Sequence, residues 1–219
     1  MLTYRYPIIA REGWPLIGLV LIVTVAFTLF SNIIAALPLW LILLLAVFMY
    51  RDPPRKIPSA PLAIVAPVDG RIVAIDKAQD PFAERESTRL VIAMNLLGIY
   101  SARSPTEGKI VNQWHGSHAT EQSALHLAVG GFAQWIQTDE GDDIVMVMRQ
   151  RSRVQAPRCY AHSGERVGQG QRCGFVPLGA EVEVLIPASS RIDVKLGDTL
   201  RAGSDIIATL IRRPATETE

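Results

Sequence analysis

The chain has 219 residues, 49% of them hydrophobic, with a net charge of +1 and only two cysteines. That is enough for one well-buried domain and something extra. The near-neutral charge, with no Lys/Arg cluster interleaved with aromatics, excludes a nucleic-acid partner. Two cysteines are too few and too widely spaced for a zinc site, and the cytoplasmic placing expected below argues against a disulfide.

Trp14–Phe30 and Ile33–Tyr50 are almost charge-free runs separated by Ser31 and Asn32. Each approaches the ~20 residues of a membrane-crossing helix. A second run follows the first at once, which a cleavable signal peptide would lack. Residues 1–50 therefore read as a transmembrane or re-entrant helical hairpin, and the short link leaves open which of the two. Arg5 and Arg11 precede it and Arg51, Arg55 and Lys56 follow it, which predicts both ends on the cytoplasmic side of the inner membrane, the soluble part with them.

Pro53, Pro54, Pro58 and Pro61 then predict an extended juxtamembrane linker over residues 51–63, ahead of a domain over 64–213 and a tail over 214–219. Strands are expected at 70–75, 90–94, 144–148, 182–186 and 206–211, and one short helix at 121–129. Gly164-Glu-Arg-Val-Gly-Gln-Gly170 and Gly197-Asp-Thr-Leu-Arg-Ala-Gly203 echo one another as glycine turns with an apolar residue aimed into a core. Paired turns of this kind are typical of small lipoyl or biotinyl-carrier β-sandwiches, although Lys195 is not placed as a carrier lysine. The expected fold is mainly β, a sandwich-like (barrel-sandwich) domain behind the helical hairpin.

His115 and His118 invite a metal reading if they share a helical face, but Gly116 and the lack of a third ligand favour surface or turn histidines, His126 included. Cys159 and His162 would point to opposite faces of a strand. Both cysteines read as small apolar residues. Ser117 and Ser204, the other serines in Gly-Ser pairs, read as turn residues.

Five stretches in order carry a resemblance. They are Tyr50-Arg-Asp-Pro-Pro-Arg-Lys-Ile-Pro58, Ala66-Pro-Val-Asp-Gly-Arg-Ile72, Met94 through Gly108, Ser163 through Phe175, and Gly174-Phe-Val-Pro-Leu-Gly-Ala-Glu-Val-Glu-Val-Leu-Ile-Pro187. Together with the apolar hairpin they resemble the phosphatidylserine decarboxylase family, in its short bacterial and archaeal form. The resemblance implies phosphatidylethanolamine synthesis in a membrane. It also implies an internal serine that cuts the chain and becomes a pyruvoyl cofactor, helped by an Asp and a His.

Carried over, the Asp is Asp69 and the His falls on Tyr100. The neighbouring Asn falls on Ala102, while Arg103 and Pro105 remain. The family's Gly-Ser pair falls on Gly179 and Ala180, so the serine is missing, and the acidic-Asn-Arg stretch is replaced by something like 121–124. Tyr, with a pKa near ~10, is a poor base at neutral pH where His near ~6.5 is well matched. The expectation is a pseudoenzyme without a pyruvoyl group or metal, binding the phospholipid membrane, a phosphatidylserine-like lipid, another copy of itself or an active partner protein. The alternative is an active decarboxylase using an unrecognised nucleophile. An adaptor unrelated to lipid chemistry ignores the order of the motifs.

Overall fold

The computed structural model describes residues 9–95, 98–116, 131–149, 156–176 and 180–211. The helix expected at 121–129, together with Ser117, His118, His126 and Gly179, lies outside them.

A 3-10 turn, Arg11–Gly13, runs into α1, Trp14–Phe30, and two residues later α2, Ile33–Met49, begins. The Asn32 carboxamide oxygen accepts from the Ala35 N–H at 2.8 Å, capping α2 where the chain must reverse. Ala36 and Ala46, both buried, are small enough to let the helices approach closely. Thr24 and Thr28 return their hydroxyls to carbonyls four residues earlier, at 2.7 Å each, so both threonine hydroxyls of α1 are satisfied within the helix. Arg11–Phe30 is long and apolar enough to cross a membrane by length and composition, whereas Ile33–Met49 is apolar but shorter. Large side chains such as Leu29 and Phe30, 78% and 92% exposed, face outward.

The remainder is mainly β, built on a curled antiparallel sheet. Among the described residues it forms two units of the same seven-strand connectivity. Unit B is continuous: β4 Ser101–Arg103, β5 Gly108–His115, β6 Phe132–Gln137, β7 Asp143–Arg149, β8 Arg158–Cys159, β9 Arg166–Val167 and β10 Arg172–Phe175. Unit A is split around it. It comprises β1 Ala63–Val65, β2 Gly70–Asp80 and β3 Arg85–Met94, then β11 Glu181–Pro187, β12 Arg191–Ile192, β13 Thr199–Leu200 and β14 Ile206–Thr209. Unit A contributes β13-β2-β3-β11 to the eight-stranded sheet, and unit B continues it as β7-β6-β5-β9. The small sheets β1-β14-β12 and β4-β10-β8 correspond in the same way.

The correspondence reaches single hydrogen bonds. Gly197 N–H donates to Ile72 O at 2.9 Å while Ile72 N–H donates to Asp198 O at 3.0 Å; Gly164, Ile110 and Glu165 repeat this at 2.8 and 2.9 Å. The Asp198 carboxylate accepts from Lys195 N–H, and the Glu165 carboxylate from His162 N–H. Val73 and Val111 occupy matching bulges. The units clasp where Arg103 N–H donates to Pro67 O and Val65 N–H to Pro105 O, both at 2.8 Å.

The glycine echo is thus a true structural repeat. Gly164, Gly170, Gly197 and Gly203 all have positive φ, between 66° and 93°, while Val167 and Leu200 are each 4% exposed. A second echo escaped the sequence reading: Ala66-Pro-Val-Asp-Gly-Arg-Ile-Val73 against Ser104-Pro-Thr-Glu-Gly-Lys-Ile-Val111. All five expected strands occur with shifted bounds; the first extends to Asp80 and the last stops at Thr209. The helical placing of His115 is corrected. It ends β5, with its ring edge against Phe132 at 4.9 Å. The strand placing of His162 is corrected too, because β8 ends at Cys159.

Alternation along β7 and β11 feeds two cores. Ile144, Met146, Met148, Val182, Val184 and Ile186 face the main core, while Val145, Val147 and Leu185 join Phe82, Trp114 and Trp135 on the other side.

Candidate functional site

The split in unit A locates the site. The chain leaves unit A after β3 and returns at β11, and the ends meet where Met94 N–H donates to Ala180 O at 3.3 Å. In unit B the same bond, Thr138 N–H to Asp142 O at 2.9 Å, closes an ordinary hairpin. Ala180 therefore sits on the seam between the repeats, with its methyl group in the main core at 1% exposure.

Asp69 lies beside the seam. Its carbonyl accepts from Asn95 N–H at 3.4 Å, and Gly98 packs against its side chain. Its carboxylate is fully engaged in shape-keeping: Oδ1 accepts from Ala202 N–H and Oδ2 from Arg55 Nη2, each at 2.7 Å. Its equivalent in unit B, Glu107, is exposed. An acid before this glycine is thus a feature of both repeats, as expected of a residue that forms the turn.

Tyr100 is 3% exposed, and its carbonyl accepts from Val176 N–H at 2.8 Å. Its ring lies 6.2 Å from that of Phe175, which stacks on Tyr50 at 5.9 Å. Burial pushes the phenol above its ordinary range; Arg51 pulls the other way and Tyr50 adds to the push. Tyr100 is therefore protonated at neutral pH, the wrong state for a base. Ala102 is completely buried opposite Gly174, where a side chain would overlap the Arg158 carbonyl. The fold thus brings Asp69, Tyr100 and Ala180 to one end of the domain, and two of the three are packed as core. Ser204 belongs to a turn, its N–H donating to Arg201 O. Among the described residues no metal-ligating cluster is present.

The sequence reading missed a buried ionic clamp at the same end. Arg172 Nη2 donates to Glu12 Oε2 at 2.9 Å, and Arg172 Nε lies 3.5 Å from Asp52 Oδ2. Arg103 donates from Nη2 to Asp52 Oδ1 at 3.2 Å and from Nη1 to Gly170 O at 3.1 Å. The four side chains are at most 8% exposed. They tie the start of α1 and the end of α2 to unit B. Ala10 N–H to Tyr50 O at 2.7 Å adds a backbone pin, and Gly13 leaves room for the Tyr50 ring. Asp52, Arg103 and Arg172 lie inside motifs already assigned to other purposes, and Glu12 lies just ahead of the first apolar run.

The family model for phosphatidylserine decarboxylase matches residues 42–208. The chain is 39% identical over 208 residues to the phosphatidylserine decarboxylase proenzyme of Nitrosomonas eutropha, covering 94% of this chain and 96% of that one. It is 37% identical over 216 residues to the protein of the same name from Burkholderia pseudomallei, covering 97% and 100%. With the one from Aromatoleum aromaticum it shares 36% over 220 residues, covering 95% and 98%.

Proposed function

The chain belongs to the phosphatidylserine decarboxylase family of phospholipid metabolism, and from that premise we propose that it is a membrane-anchored member that neither cuts itself nor forms a pyruvoyl group. The observation that carries this is the buried methyl of Ala180, at the seam where the resemblance places the reactive serine. A pyruvoyl group made in place needs a hydroxyl on that residue, so the residues present do not fit the cofactor. Tyr100 and Ala102, in place of the expected His and Asn, add a neutral phenol and a methyl where a base and an amide would be needed. Proenzyme, the word in the relatives' names, describes those proteins and does not carry over.

The apolar, outward-facing surface of α1 and α2 supports a membrane-embedded hairpin. Basic residues at both ends support a cytoplasmic placing of the β domain. The curled antiparallel sheet and the nested pair of units support the barrel-sandwich reading of the fold. In this reading the protein keeps the family scaffold to hold a phosphatidylserine-like lipid, or to partner an active copy or relative, without doing the chemistry.

Intact-mass analysis of the purified full-length chain tests it. A single uncleaved polypeptide is expected. Two chains, the smaller starting at residue 180 or elsewhere with a terminal carbonyl, would overturn the reading, and the cut would identify the nucleophile.

A further inference from the structure

The two cysteines, far apart in sequence, are neighbours in unit B. Cys159 on β8 lies opposite Gly174 on β10, and Tyr160 N–H donates to Cys173 O at 2.8 Å. β10 is irregular between Arg172 and Gly174, so Cys173 is the extra residue of a bulge. The bulge turns the Cys173 side chain into the main core, against which Cys159 also packs. Both are free thiols; Cys173 is 1% exposed and Cys159 is half-buried. The equivalent positions in unit A carry Ile192 and Ile207. The fold therefore needs only apolar bulk there, and thiols are chemistry beyond it.

Polar groups surround Cys159. Gln113 Nε2 donates to Ala161 O at 2.7 Å and reaches the sulfur at 3.8 Å. Gln134 Oε1 accepts from the sulfur at 3.5 Å, while its Nε2, on a residue with no exposed surface, has no partner among the described residues. Exchanging the two ends of that amide turns the orphaned donor onto the sulfur, an arrangement suited to a thiolate. The hydrogen bond from Cys173 and a backbone hydrogen bond at Ala161 hold the Cys159 thiol below its ordinary range, against burial and the Glu165 carboxylate. Its bond to Cys159 and its burial push the Cys173 thiol well above. One thiol is set to react first and the other to follow.

We propose that Cys159 and Cys173 form an oxidisable dithiol, in which Cys159 attacks a hydroperoxide and Cys173 resolves the product as an intrachain disulfide joining β8 to β10. The Cys159 thiolate takes the terminal oxygen of hydrogen peroxide, breaking the O–O bond and releasing hydroxide, which leaves a sulfenic acid. Cys173 then displaces that oxygen as water while the S–S bond forms. The peroxide has gained an electron pair and the two thiols have lost it. The bond staples the strand that bears Arg172, and with it the anchor of the helices.

The test uses the full-length chain in detergent micelles, treated with one equivalent of hydrogen peroxide and mapped as non-reduced peptides. The expected product is the Cys159–Cys173 disulfide, reversed by dithiothreitol, with both thiols lost together. In Cys173→Ser, dimedone should trap a sulfenic acid on Cys159; in Cys159→Ser, Cys173 should stay unmodified. The proposal is overturned by a sulfinic acid on Cys159 beside a free Cys173, by a disulfide between chains, or by Cys159 reacting no faster than free cysteine. The wild-type mapping decides even where a variant fails to fold.

Discussion

Units A and B reach the same strand pairing with different residues at a few places, and those differences separate what the fold requires from what has been added to it. Shared features are the four glycines of positive φ, the Pro-x-acid-Gly turns and the bulge valines. They are requirements of backbone geometry. Asp69 shares its place in the turn with the exposed Glu107, and its carboxylate in addition holds Arg55 and the Ala202 N–H. The differing pairs have another character: Arg103 and Arg172 in unit B stand against Val65 and Ile206 in unit A, and Tyr100 against Leu62. Ala180 in unit A stands against Asp142 in unit B. Most of these additions lie where the N-terminal helices meet the domain or where unit A has been opened to receive unit B.

The seam offers the largest test of that contrast, because cleavage there is all or none. Ala180→Ser alone is expected to remain a single chain, since a protonated, buried Tyr100 leaves the new hydroxyl without a base, a loss of roughly 10²–10⁴-fold. Adding Tyr100→His and Ala102→Asn should bring cleavage within reach of an overnight incubation, read by mass. Asp142→Ser, at the equivalent hairpin of unit B, should never cut in either background. Cleavage of the single variant as fast as the triple would show that Tyr100 is no obstacle.

The clamp comes next. Removing one member of a buried ion cluster strands its partners' charges, a loss of about 3–5 kcal/mol. Arg172→Ala should show that loss in thermal or denaturant unfolding in micelles and should free the helices from the domain, seen as faster hydrogen exchange at Ala10. Ile206→Ala, the half-buried equivalent in unit A, should cost only about 1 kcal/mol. Equal losses at the two sites would reduce the clamp to ordinary packing.

These contrasts also show how far the sequence could be read. The central strands and glycine turns were legible because each is local: alternating or continuous apolar runs, and glycines at fixed offsets. The duplication was half legible, since the turn echo was visible but its partner, Ala66–Val73 against Ser104–Val111, was masked by use of the same residues as a family signature. The resemblance places the family's serine at Ala180 and its histidine at Tyr100 by position in the motifs alone. The clamp and the thiol pair could not be read. Glu12 and Arg172 lie 160 residues apart, and Cys159 meets Cys173 only through a bulge whose register no local pattern announces.

Tyr100 supplies a smaller, pH-dependent test of the same end. Its pKa is raised in the folded state by burial, so folding favours the protonated phenol. Its stabilising contribution is therefore complete below the unfolded value near ~10 and is lost as pH rises through the folded value. The melting temperature of the wild type should fall faster than that of Tyr100→Phe above about pH 10, with the two parallel at neutral pH. Parallel curves throughout would mean that the phenol ionises as if in water.

The smallest effect tests the duplication itself. Gly164 and Gly197 share a φ of 93°. A Cβ at Gly164 would meet nothing within 4 Å, and one at Gly197 would first meet the exposed guanidinium of Arg71, at 3.2 Å, whose Nε donates to the Gly197 carbonyl. Alanine at either place therefore suffers almost pure backbone strain, about 1–2 kcal/mol. The two losses should agree within about 0.5 kcal/mol, and the double variant should be additive, because the turns belong to different units. Gly203→Ala has a similar φ of 69° but a Cβ 2.7 Å from Arg103 Cδ, and that arginine is held by Asp52. It should lose more than either, through the clamp. If instead all three losses were alike, the strain would be the whole cost, and the clamp would be yielding enough to let Arg103 move aside.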